Sequence, residues 1–247
     1  MKQITINKFD VCNLSRIPMQ MDYNPIYRAT KAYISSNSEL EVKKILKEFQ
    51  DKYKSIDTLS SLVGIDNKFM NNIRYDAFFL PWYHKKPSSK KDTAFIDFDI
   101  DEKVNKIIEI IESMKKYGYD KEKFKSKQSK QGGILGYILE HGSHKKFYIT
   151  SGNHRAAIYF ALFEKALSVS ICKKSDFKRH YMPHKSMFDE NNYVHSISSK
   201  NIDNWPSVKS NFMTRENCLS FISSYFVKEN LIEKISSLSD KFNKDWN

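Results

Sequence analysis

The eighteen residues from Phe147 to Glu164, FYITSGNHRAAIYFALFE, constrain this chain more than any other stretch. A β-favouring run ends in Thr150-Ser151-Gly152-Asn153, and a helix-favouring run with a small apolar face, Ala157, Ile158, Ala161 and Leu162, follows at once. Such a sequence predicts a strand, a tight polar turn and a helix lying back on the sheet. Glycine is scarce: the chain has seven, and five of them fall between residues 132 and 152. Backbone freedom is therefore concentrated beside this turn, where Gly152 lets the chain reverse and lets a ligand approach the main chain closely.

The turn also carries chemistry. A helix N-terminus presents unpaired N–H groups and a partial positive charge, so it attracts anions. Placing His154 and Arg155 in the first turn opposes the helix dipole unless an anion compensates. The competing reading is that Asn153 caps the helix and that His154 and Arg155 are ordinary first-turn polar residues. The electrostatic cost favours an anion site. In it Gly152 and the turn amides approach a phosphate, and Asn153 donates from its side chain. His154 binds an oxygen or carries a proton, and Arg155 grips two oxygens. Thr150 and Ser151 at the strand end, and Lys146 on the entering strand, complete the expected phosphate-binding set, with Lys145 beside it.

Around this unit the pattern predicts further elements. Ile134–Leu139 and Lys146–Thr150 read as a hairpin, with the turn at 141–144. Leu167–Cys172 reads as a strand. Helices are expected over Ile26–Ile34, from Ser38 through Val42, Ile45, Leu46 and Phe49, and from an Asp101 cap through Val104, Ile107, Ile108, Ile111 and Met114 to Gly118. Others are expected at Asp57–Val63, from Thr214 through Leu219, Ile222 and Phe226, and over Glu229–Asn247. Residues 1–20 read as a short strand or extended arm, and residues 76–93, 119–131 and 173–204 as irregular. The expected division is an N-terminal segment 1–95, a nucleotide-binding core 96–175 and a C-terminal helical extension 176–247.

With 40% hydrophobic and 14% aromatic residues, the chain can build a real core. Its net charge of +12 fits polyanionic partners, although a lysine-rich solvated surface accounts for it equally well. Three widely spaced cysteines argue against a disulfide framework or a zinc site, and no metal-ligand set is expected. No segment has the roughly 20 apolar residues of a membrane span. The N-terminus lacks a long apolar run, so a cytoplasmic protein is expected.

Ser151-Gly152-Asn153-His154-Arg155-Ala156-Ala157 resembles the signature of the ParB/sulfiredoxin superfamily. In its members, chromosome-partition proteins, sulfiredoxin and a free-serine kinase, this strand-to-helix turn binds the phosphates of CTP or ATP. Further blocks are similar to ParB-like proteins of bacterial surface-polysaccharide loci: Asn24-Pro25-Ile26-Tyr27, Tyr117-Gly118-Tyr119, Gly133 to Leu139, and Asn204 to Ser210. The resemblance implies an α/β (α+β) fold, a ParB/sulfiredoxin-like small mixed sheet surrounded by helices, with additional N- and C-terminal helices. It also implies a nucleotide-dependent phosphotransferase using ATP, or CTP, with Mg²⁺, acting on a hydroxyl of a small molecule or a surface-glycan precursor. The alternative is a non-enzymatic nucleotide-binding switch or a DNA-binding ParB-like protein; nucleic acid ranks below nucleotide as a partner.

The chain departs from its relatives in three ways. Ser151 replaces an acid found before the glycine in the kinase. Asn153 replaces sulfiredoxin's catalytic cysteine, which argues against sulfinic-acid repair. No convincing helix-turn-helix follows the turn. A kinase needs a carboxylate to orient the hydroxyl. Asp101, Glu102 and Glu140 are candidates, and Glu102 joins His154 and Arg155 as the expected catalytic set; a first-turn acid favourable to the helix dipole is its ordinary reading. Trp205 is expected as a hydrophobic plug rather than a lid over the nucleotide. Arg179, His180 and His184 lie in an irregular segment of the kind that often carries function.

Overall fold

The computed structural model describes residues 2–14, 17–53, 80–84, 98–122, 124, 133–177, 182–194 and 196–227. The helices expected at Asp57–Val63 and Glu229–Asn247, and the residues Arg179 and His180, lie outside this set. The described chain is a mixed α/β structure with a small mixed sheet and six α-helices.

The sheet is built around one hairpin. Strands β5 (Leu135–His141) and β6 (His144–Ser151) pair antiparallel, with Gly142 at φ +60° in the turn. Gly136 is required within β5, since a Cβ there would stand 2.2 Å from the Tyr148 carbonyl oxygen. Strand β7 (Leu167–Ile171) runs parallel to the start of β5, and β1 (Gln3–Ile6) pairs antiparallel with β7. The two-residue strand β9 (Ile197–Ser198) runs parallel to the far end of β5. The sheet thus draws strands from all three expected segments, and neither residue 95 nor residue 175 divides it. The Asn13 side chain, on the short strand β2 (Asn13–Leu14) that pairs antiparallel with β3 (Ile17–Pro18), bonds the backbone N–H and C=O of Ile149 on β6.

Helices cover the sheet. Helix α1 (Pro25–Ser36) starts at Asn24, whose side chain accepts from the Ile26 and Tyr27 amides, with proline in the first turn where its missing N–H costs nothing. Helix α2 (Glu39–Tyr53) buries Val42 and Leu46. Helix α3 (Ile100–Tyr117) buries Val104, Ile107, Ile111 and Met114, the expected stripe apart from the half-buried Ile108, and ends at Gly118, φ +68°. Its cap is Asp99, which accepts from the Glu102 amide at 2.9 Å; Asp101 instead sits in the first turn and pairs with Lys43 at 2.5 Å. Helix α4 (Asn153–Phe163) packs on α1 and α3 and buries Ala157, Ile158 and Ala161.

The segment 173–204 consists largely of short pieces. They include β8 (Met182–Pro183), which pairs with β4 (Tyr83–His84), and a 3₁₀ helix over Ser199–Asn204. The two short helices α5 (Pro206–Lys209) and α6 (Arg215–Ser223) follow, so Phe226 falls beyond the helix it was expected to join. Trp205 is fully buried edge-to-face against Trp82, with ring centres 5.3 Å apart; Tyr148, Phe221 and Tyr225 pack on the same Trp82 ring. Trp205 is therefore a plug tying the C-terminal helices to the sheet. No helix among the described residues is long and apolar enough to cross a membrane.

Candidate functional site

Strand β6 delivers the chain to Gly152, whose backbone is left-handed at φ +91°. A Cβ at this position would lie 2.9 Å from Ile134 Cγ1, so both conformation and space demand glycine. The Gly152 carbonyl accepts from the Ala156 amide at 2.9 Å and starts α4. No side chain among the described residues caps the helix. Asn153 is its first residue, not its cap, so the capping reading of the turn fails. The Asn153 amide oxygen is buried with no hydrogen-bond partner among the described residues.

Positive charge gathers at this end of α4. The imidazole of His154 is depressed to about 3, first by burial and then by the charges of Lys103, Lys106 and Arg155. It is neutral at pH 7. Lys103 is itself pulled down to about 8 by burial and by Lys106, with Glu102 partly opposing. The Arg155 guanidinium donates to the Gly133 carbonyl at 3.2 Å, and its carbon lies 5.8 Å from the centre of the Phe124 ring. Burial lowers the Arg155 pKa and the neighbouring Tyr119 opposes that shift; the side chain stays charged, as arginine does.

Two of these groups were not expected. Lys103 and Lys106 flank the buried Val104 and Ile107 on α3, which packs against α4. Their spacing puts them on neighbouring turns of one helix face. Lys146, the expected lysine, is not in this corner. It lies five residues before Ser151 along β6, about 17 Å away at strand spacing, and its ammonium donates to the Phe9 carbonyl. Glu140 and Lys145 pair with each other at 3.0 Å beside the hairpin turn, at the same remote end. Thr150 directs its hydroxyl into the sheet, donating to the Leu135 carbonyl at 3.2 Å and touching Cys172 Sγ at 3.2 Å. Ser151 ends β6 opposite Leu135, next to the turn. Glu102 is exposed in the first turn of α3, one residue from Lys103, whose ammonium feels its charge. Of the expected catalytic set, His154 and Arg155 stand together, and Glu102 lies on the helix that supplies the two lysines.

Other candidates have structural duties. His184 caps the 3₁₀ turn Lys185–Met187 through Nδ1 and the Ser186 amide. Cys172 and Cys218 are buried thiols pushed up to about 12, and burial raises Cys12 further still. These are inert settings for a thiol. Among the described residues no cluster of three or more His, Cys, Asp or Glu could hold a metal ion. No protein-family model, curated protein or solved structure matches the chain.

Proposed function

We propose that this protein is a nucleotide-dependent phosphotransferase of the ParB/sulfiredoxin kind, binding the phosphates of ATP, or CTP, with Mg²⁺ at the Gly152–Arg155 turn. The reading rests on one observation: Lys103 and Lys106 of α3, which packs on α4, act with Arg155 on the His154 imidazole in the first turn of α4, a turn that no side chain among the described residues caps. The repulsion between Lys103 and Lys106 beside this turn raises the free energy of the ligand-free protein, and a polyphosphate removes that cost.

In this scheme Arg155 and the two lysines neutralise charge on the transferred group, and neutral His154 donates an N–H to a phosphate oxygen. Fixed positive groups of this kind carry most of phosphoryl-transfer catalysis. The oxygen of an acceptor hydroxyl attacks the terminal phosphorus, and the bond from that phosphorus to the bridging oxygen breaks. The nucleoside diphosphate leaves. The hydroxyl proton passes to a carboxylate, for which Glu102 is the candidate beside Lys103. The acceptor class is a small-molecule or glycan-precursor hydroxyl.

The test is calorimetric titration with ATP, CTP and tripolyphosphate in the presence of Mg²⁺, on the wild type and on His154→Ala and Arg155→Ala. Each variant is expected to lose tenfold or more in affinity for all three ligands while keeping its melting temperature, by analogy with charge-assisted contacts worth about 1.5–3 kcal/mol. Unchanged affinity in both variants overturns the proposal.

A further inference from the structure

The phosphate corner is walled on one side by aromatic rings. Tyr119 follows the Gly118 that ends α3, and Phe124 lies five residues on. Their rings lie nearly parallel, 18° apart in plane with centres 6.0 Å apart. Tyr119 is also edge-on to Tyr159 of α4, two helical turns beyond Gly152, at 6.0 Å. The stack is therefore fixed to the helix that begins at the turn. Both Tyr119 and Phe124 remain only half-buried, whereas the aromatic cluster around Trp82 and Trp205 is fully enclosed. The guanidinium of Arg155 stands over the Phe124 ring, its carbon 5.8 Å from the ring centre. A charged group made for phosphate and a partly exposed aromatic stack thus share one edge of the site.

We infer that the Tyr119–Phe124 stack is the platform for the nucleobase of the nucleotide whose phosphates the Gly152–Arg155 turn receives. The inference rests on the phosphate reading above and extends it to the other half of the ligand. Every nucleobase has a π-face, and stacking on an aromatic side chain favours it without reading its edges. A ribose spans the gap between a base on Phe124 and a phosphate held by Arg155. Stacking strength grows with ring area, so purine nucleotides bind more tightly than pyrimidine nucleotides, and discrimination among purines is weak.

The experiment compares ATP, CTP and tripolyphosphate by calorimetry on the intact chain, for the wild type, Phe124→Ala and Phe124→Trp. Tripolyphosphate has no base and reads the phosphate corner alone. Phe124→Ala is expected to weaken ATP about 5- to 100-fold while leaving tripolyphosphate within twofold, and Phe124→Trp is expected to keep or improve ATP binding. Equal losses for ATP and tripolyphosphate in Phe124→Ala would mean that the ring only steadies Arg155, and would overturn the platform. Wild-type affinity for ATP in Phe124→Ala would overturn it as well. Failure of the wild type to bind tripolyphosphate at all would instead remove the underlying phosphate site. If Phe124→Ala does not fold, Phe124→Leu, which keeps apolar bulk but loses the aromatic face, takes its place and must show the same selective loss for ATP.

Discussion

If the proposed phosphate site is real, the titration of Lys103 makes binding there depend on alkaline pH in a calculable way. In the ligand-free protein its ammonium is held at about 8, against an ordinary value of 10.5, by burial and by Lys106. An anion that neutralises the corner returns it toward 10.5. The apparent dissociation constant then follows the fraction of free protein in which Lys103 is protonated. That fraction is nearly complete at pH 7 and a few per cent at pH 9.5. A full return of the pKa would weaken binding about 25-fold over this range, and solvent screening at a partly exposed side chain reduces the expected loss to about tenfold. The terminal phosphate of ATP is already ionised across this window, since its relevant pKa lies near 6, so the ligand adds little slope of its own. The assay is calorimetry with ATP at pH 7, 8 and 9.5, using buffers of differing ionisation enthalpy. The wild type should take up about half a proton on binding at pH 8, where free Lys103 is half titrated. Lys103→Arg keeps the charge but does not titrate, so its profile should be flat. A wild-type profile as flat as that of Lys103→Arg, with no proton uptake, would refute the claim that Lys103 faces the bound anion.

Two further predictions concern the fold beneath the site. Gly152→Ala combines a left-handed backbone with a Cβ 2.9 Å from Ile134 Cγ1, so it should destabilise the protein by about 2–4 kcal/mol. Thermal unfolding should show this as a fall of about 5–15 °C, and a change under about 2 °C would contradict the described turn. His154 has a folded pKa of about 3, below its ordinary 6.5, so the unfolded chain binds a proton that the native protein refuses between these values. Its contribution is present above pH 6.5 and lost as pH falls toward 3, with a limiting slope of about 1.4 kcal/mol per pH unit. Urea midpoints of His154→Gln between pH 4 and 7 should rise less steeply with pH than those of the wild type, and equal slopes would show that the imidazole is not desolvated.

Local chemistry made much of this structure legible. The hairpin, the α3 stripe ending at Gly118 and the strand-to-helix turn at Gly152 all follow from periodicity and from where glycine is needed. Asp99 does not stand out as the cap in the sequence because Asp101 is an equally good acid two residues on, and only the partner of each side chain separates them. Strands β1 and β9 could not be placed in the sheet, because four and two residues carry no pairing information of their own. The largest difference is in the cation set. Lys146 adjoins the site strand in sequence but sits at its distant end, while Lys103 and Lys106 enter from α3 through helix packing. Their side of the apolar stripe is visible in the helical phase; the helix they meet is not.

The sheet of this protein takes strands from opposite ends of the chain: β1, residues 3–6, pairs with β7, which lies on one end of β5, and β9, residues 197–198, pairs with the other end of β5. During synthesis the ribosome must release nearly two hundred residues before that edge can be covered. Contacts of such long range slow folding and expose open strands meanwhile. Excising the span 96–175 as a minimal unit would strip β5 of β9 and β7 of β1, so the nascent polypeptide completes this sheet late, after the last of these strands has emerged.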